Sequence, residues 1–304
     1  MKKDISFEAW LQKRSPKVKG STLKTYKSYE RAHLLPFFAT LMLGEITVKK
    51  QKQFKKWLRK KLSAKTARDI LSYLRTILKE AARKGYPATF KKQKIKVVQK
   101  EKEILTHQQH QTLSHQLRQS IAPQDMGILL SMSTGLRLGE VLGLRQKDVD
   151  VEAGVLRVRL NRQRVYNPKT GSYPVVCQSP KTIKSQRDIP LHPALQKALA
   201  SYLKRQSVQD QNQPLIAAAP GRACDASSLQ RRFSQIKSRM GLSSGLTFHS
   251  LRHSFVARAL ELGADMHTVS EILGHSNVAF TLSVYGHCVS EQKRLQMEKM
   301  AKCF

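Results

Sequence analysis

Arg137 stands in the run Thr134-Gly135-Leu136-Arg137-Leu138-Gly139-Glu140, among neighbours that are otherwise mostly small or apolar. A guanidinium keeps its charge at any working pH, so it cannot escape burial by losing a proton. Two readings are open: a buried ion pair with Glu140, three residues on, or a cation aimed at an anion in a cleft. A second cluster, His249-Ser250-Leu251-Arg252-His253, falls where a helix opens. Its His249 and Arg252, at i and i+3, share one helical face. A third, Leu273-Gly274-His275-Ser276-Asn277, is followed ten residues after His275 by Tyr285. One tyrosine among 8 says little alone. The order is what informs: an arginine, then His-x-x-Arg, then Gly-His, then Tyr. His249 and His253 lack cysteine or carboxylate partners at ligand spacing, so no metal and no cofactor is expected.

The elements that must position these residues are mainly helical. Residues 5–86 read as helices throughout. Ser21 or Thr22 can cap one that buries Leu23, Tyr26 and Leu34 and turns Lys24, Lys27 and Arg31 to another side. Ile70, Leu74, Ile77, Leu78 and Ala81 keep a 3.6-residue period in a helix over 63–84, which Gly85 and Pro87 stop. Residues 88–103, with Lys91, Lys92 and Lys94, are dense in charge and without a stripe, as expected of a basic linker. From Ile104 the pattern changes. Val155–Leu160 alternates apolar and basic residues, Asn167–Gly171 is a turn, and Arg187–Leu191 is another short strand. Helices are expected near 193–208, 226–240, 247–262 and 266–273. The fold class is therefore mainly α with a small antiparallel β-sheet: a helical domain over 1–87, the linker over 88–103, an α+β domain over 104–289 and a tail over 290–304.

Of 304 residues, 55 are Lys or Arg and 21 Asp or Glu, a formal net charge of +34. Such a chain repels itself unless a polyanion is near and attracts nucleic acid by counterion release. An anionic membrane is the competing polyanion. No stretch approaches the roughly 18–20 apolar residues of a membrane span, and no apolar segment follows the charged N-terminus, so a cytoplasmic protein without a membrane partner is expected. Cys177, Cys224, Cys288 and Cys303 are scattered and form no C-x-x-C pair, which fits free thiols in a reducing compartment.

Taken together the three boxes resemble the tyrosine recombinase (phage integrase) family. Residues 134–140 match its first arginine box, 249–253 its second, and Leu273-Gly274-His275-Ser276 with Tyr285-Gly286-His287 its last box and nucleophile. Ser179-Pro180-Lys181-Thr182 before Arg187-Asp188-Ile189-Pro190-Leu191 resembles the hairpin that holds the family's catalytic lysine; Lys169, in the preceding turn, competes for that place. Residues 5–86 resemble the family's core-binding domain. The variant looks closer to integrases of phages and conjugative transposons than to Xer-type resolvases.

The resemblance implies a site of Arg137, Lys181, His249, Arg252, His275 and Tyr285, with Glu140 as a partner that positions Arg137. Planar guanidinium forks suit a phosphate whose oxygens gain charge in the transition state. Lys181 would protonate the departing 5′ oxygen, and Tyr285 would form a 3′-phosphotyrosyl link. It further implies double-stranded DNA recombination sites, a homotetramer on two sites, and an accessory DNA-bending or excisionase protein as partners. Lys24, Lys27, Arg31, Lys91, Lys92 and Lys94 are the nominated DNA contacts. Ser290 can cap a tail helix carrying Leu295, Met297, Met300 and Phe304, which would dock on a neighbouring protomer or on its own domain. Many integrases of this type have an arm-binding domain ahead of the core-binding helices. Here the sequence begins almost at those helices, so no role for distant arm sites is carried over. The alternatives are a resolvase of chromosome or plasmid dimers, a tyrosine-based topoisomerase, and a DNA-binding protein that has lost catalysis.

Overall fold

The computed structural model describes residues 2–98, 102–179, 185–206, 210–274, 297, 300 and 301. It divides into two compact units, the first joining the N-terminal 100 residues with Arg164–Val175 and the second holding the rest.

In the first unit, α1 (Phe7–Lys13) starts at Ser6, whose hydroxyl accepts the Ala9 N–H. Helix α2 (Gly20–Tyr29) begins earlier than the Ser21 or Thr22 expected to cap it, and Lys19 flanks it without a capping side chain. The reason is tertiary. The Gly20 carbonyl accepts the Tyr166 N–H at 3.3 Å, and a Cβ on Gly20 would lie 3.2 Å from Val165. A π-helical turn, Glu30–Leu34, leads into α3 (Leu35–Phe38). Pro36 has no N–H to give its preceding turn, and the ladder widens just before it: the Leu35 N–H reaches the Glu30 carbonyl. Thr47 and Ser63 cap α4 (Val48–Lys61) and α5 (Ala64–Arg83). The expected stripe of α5 is buried and packs with Phe7, Trp10, Phe38, Phe54 and Leu58. Residues 88–98 form neither helix nor strand, yet Ala88, Phe90 and Ile95 rest on this core.

The second unit opens with α6 (His107–Gln119), capped by Thr106 and Gln109. Helix α7 (Pro123–Thr134) is buried nearly all round, as suits a central helix contacted by its neighbours on several sides. The short α8 (Leu138–Val141) follows. Strands β1 (Val149–Asp150) and β2 (Val155–Val158) come next, then β3 (Asn161–Arg164), β4 (Val175–Gln178) and β5 (Arg187–Pro190). β1-β2-β5 is an antiparallel sheet in which Leu156 faces Ile189, both buried; β3 and β4 form a separate two-stranded ribbon. Helix α9 (Pro193–Gln206), the small β6 (Ala217–Ala219) and β7 (Arg222–Ala223) pair, and α10 (Ala226–Arg239), α11 (Phe248–Glu261) and α12 (Met266–Leu273) complete the described part. Cys177 and Cys224 are free thiols. Among the described residues no helix is long and apolar enough to cross a membrane.

Candidate active site

Arg137 is the residue that flanks the start of α8, and it makes the expected ion pair with Glu140. Its Nη1 donates to Glu140 Oε1 at 2.8 Å, and Glu140 Oε2 accepts its backbone N–H at 3.0 Å. The carboxylate therefore caps the helix and holds the guanidinium. The Arg137 side chain is nevertheless 39% exposed, against 4% for Glu140, so the pair has one dry end and one open end.

A third member was not legible as such. Arg187, at the start of β5, is buried and also reaches Glu140 Oε2, at 3.0 Å. Burial alone would resist ionisation of Glu140. The charge and hydrogen bonding of Arg187, then of Arg137, overcome it and hold the carboxyl below the usual range.

All three cluster arginines meet the end of α12. The Leu273 carbonyl accepts from Arg252 Nη2 at 2.9 Å and from Arg137 Nη1 at 3.3 Å, and the Ile272 carbonyl accepts from Arg187 Nε. Arg252, buried on α11, also donates to the Gly135 carbonyl at 2.6 Å. The last carbonyls of a helix lack partners in their own ladder and carry its negative end, so cations gather there. Two glycines make the approach feasible. Gly274 ends α12 at φ +61°, and Gly135 ends α7 at φ +68°. A Cβ on Gly135 would lie 2.6 Å from Leu273 Cδ2.

His249 projects from the first turn of α11 and is exposed. Partial enclosure, then the charges of Arg252, Arg137 and Lys102, hold its imidazole below its ordinary value, so it is neutral at pH 7. The ring of buried His253 stands edge-on to it, with centroids 4.6 Å apart. Burial, then His249, pulls His253 down to about 4. His253 is thus a packed neutral neighbour of His249.

Lys181, His275 and Tyr285 lie outside the described residues, as does the tail apart from residues 297, 300 and 301. The chain returns at Ser185, two residues before Arg187, and Gly274 immediately precedes His275. Lys169 sits exposed in the turn, its N–H bonded to Asn167.

Of the nominated DNA contacts, Lys24 and Arg31 are exposed, while Lys27 is tied to Glu30 at 2.8 Å. Lys91, Lys92 and Lys94 are exposed. A denser cationic surface was missed. Helix α4 contains no acidic residue and exposes Lys49, Lys50, Lys52, Lys56, Lys60 and Lys61. Residues 89–94 lie along it, because Gln51 bonds both the Thr89 carbonyl and the Lys91 N–H while Lys55 Nζ bonds the Lys94 carbonyl. The i, i+4, i+8 spacing of Lys52, Lys56 and Lys60 was the available signal.

Known proteins are similar to this chain in sequence and fold. The model of the phage integrase family fits residues 103–292, and that of the phage integrase SAM-like domain fits residues 6–97. A XerC-like tyrosine recombinase of Caldanaerobacter subterraneus subsp. tengcongensis is 29% identical over 275 residues, 84% of this chain and 70% of that protein. The tyrosine recombinase XerC of Brucella suis is 32% identical over 139 residues, 45% of this chain and 42% of its relative. Among solved structures, the Tn1549 transposon integrase in complex with transposon right end DNA superposes with TM-score 0.78 at 21% identity, over 98% of this chain and 100% of that one. A lambda integrase tetramer bound to a Holliday junction gives TM-score 0.66 at 20% identity, over 90% of this chain and 78% of that one.

Proposed function

This chain belongs to the phage integrase family and is a tyrosine-type site-specific recombinase, and from that premise we propose that it integrates or excises a mobile element, with Tyr285 as its nucleophile. The observation that supports the site assignment is that Arg137 and Arg187 share the Glu140 carboxylate while Arg137, Arg187 and Arg252 meet at the carbonyls ending α12, which leaves positive charge in excess beside an exposed histidine. A transferring phosphoryl group is stabilised by such preorganised cations.

In this reading Tyr285 Oη attacks the scissile phosphorus. Its proton passes to the neutral His249. The bond from phosphorus to the 5′ oxygen breaks, and Lys181 protonates that oxygen. Arg137 and Arg252 offset charge on the non-bridging oxygens, and His275 hydrogen-bonds the phosphate. The 3′-phosphotyrosyl ester keeps the phosphoester bond, so attack by another strand's 5′ hydroxyl rejoins DNA without an outside energy source. One protomer cuts one strand, so exchange of four strands calls for a homotetramer on two duplex sites, working in the cytoplasm. The α4 lysines and Lys91, Lys92 and Lys94 would hold the DNA backbone. The XerC-like relatives favour a second reading with the same chemistry, the resolution of chromosome or plasmid dimers.

Covalent protein–DNA adducts trapped in cells, with the attached ends sequenced, test both. Ends joined through a 3′ phosphate, present for the parent and absent for Tyr285→Phe, are expected. Loci flanking a mobile element favour integration; a single chromosomal or plasmid locus favours resolution. An equal adduct yield from Tyr285→Phe removes Tyr285 as nucleophile.

A further inference from the structure

Two arginines flank Glu140, and only Arg137 is substantially exposed. Arg187 has a side chain 6% exposed and spends its donors on protein acceptors: Glu140 Oε2 at 3.0 Å, the Ser185 carbonyl at 3.2 Å and the Ile272 carbonyl. A buried cation of this kind must be compensated, and here it is compensated by the carboxylate that also binds Arg137. Its position is also a junction. Gly274 packs so close that a Cβ there would lie 3.1 Å from Arg187 Nη1 and 3.3 Å from the Ser185 Cα. Arg187 thereby fastens together α8, the end of α12 and the point where the chain returns from the segment bearing Lys181.

We propose that Arg187 is a positioning residue for strand cleavage: it offsets the charge of Glu140, so that Arg137 keeps its own charge for the scissile phosphate, and it pins the end of α12 ahead of His275. This rests on the reading of the site given above. Without Arg187, a single carboxylate faces a single arginine. The whole charge of Glu140 would then fall on Arg137, which it already binds at 2.8 Å, and less of the field of Arg137 would reach the phosphate.

The test uses the full-length protein and a nicked duplex carrying the site recovered from the adduct ends, so that cleavage traps the covalent product. Arg187→Met is expected to lower the single-turnover rate of adduct formation more than tenfold, with the dissociation constant for the same duplex changed less than twofold. Arg187→Lys keeps the charge but not the fork, and is expected to fall between the two. The informative variant is the double one. In Arg187→Met/Glu140→Gln both charges are gone and Arg137 is released, so cleavage should be faster than in Arg187→Met alone. A purely structural role for Arg187 predicts the reverse, since a second buried partner is lost. Cleavage by folded Arg187→Met within twofold of the parent, or a double variant no faster than the single, overturns the proposal. If Arg187→Met does not fold, Arg187→Gln and Arg187→Gln/Glu140→Gln take its place, and a double variant no faster than the single overturns the proposal. Absence of adduct from the parent itself overturns the reading of the site, and this proposal with it.

Discussion

Each unit buries arginine beside carboxylate, with opposite results. In the first, Arg14 binds Glu80 at 2.7 Å and Tyr73 Oη at 2.9 Å; the Tyr73 hydroxyl donates to Glu30 at 2.5 Å, and Glu30 also accepts from Lys27 at 2.8 Å. Burial, then Glu30, holds the Tyr73 phenol far above its ordinary value, so it stays a donor. Two cations meet two carboxylates in one line of bonds bridged by Tyr73. In the second, Arg137 and Arg187 share one carboxylate, and these two and Arg252 share the carbonyls at the end of α12. Carbonyls orient a guanidinium without cancelling its charge. Identical residue types therefore make a structural clasp where charges balance and, in the proposed reading, an anion site where they do not.

The largest expected effect concerns the carboxylates. Glu140→Gln leaves buried Arg187 without its counter-charge and should destabilise the second unit by about 3–5 kcal/mol. In Glu30→Gln an amide oxygen can still accept from Tyr73, and Lys27 can turn to water, so a loss of about 1 kcal/mol is expected. Hydrogen exchange of the α8 and α5 amides reads the two separately. Equal losses would erase the distinction between clasp and anion site.

Next in size are the arginines. Arg137→Met should slow adduct formation about 100-fold or more, as loss of a transition-state donor does, while barely changing stability because the side chain is partly exposed. Arg14→Met should do the opposite, lowering the melting temperature of the first unit and leaving the cleavage rate of folded protein intact. A cleavage defect of similar size in Arg14→Met breaks the comparison.

The smallest effect sharpens it from the surface. Replacing Lys52, Lys56 and Lys60 with Gln removes three charges that are solvated rather than aimed. If each contacts a phosphate, the slope of log affinity against log salt should flatten by up to about 2.7, roughly 0.9 per contact, with no change in cleavage of bound DNA. An unchanged slope takes α4 off the DNA.

Much of the scaffold was legible. The 3.6-residue stripe of α5 needs no distant partner to be recognised, since any helix with that pattern must bury that face. The Arg137–Glu140 pair was legible for the same reason, being a contact three residues apart. The start of α2 was not, because Gly20 is selected by Val165 and Tyr166, far along the chain. Nor was Arg187, whose partner Glu140 is 47 residues away.

The sequence by itself determined the helical frame, the excess of positive charge and the ordered set of arginine, histidine and tyrosine, all of which rest on local spacing and composition. Tertiary structure alone decided which arginine is buried and which stays open, and that the end of α12 gathers them. The physical reason is that the gathering groups are backbone carbonyls of Ile272 and Leu273. Every residue owns such a carbonyl, so side-chain identity cannot reveal which two will face the guanidiniums.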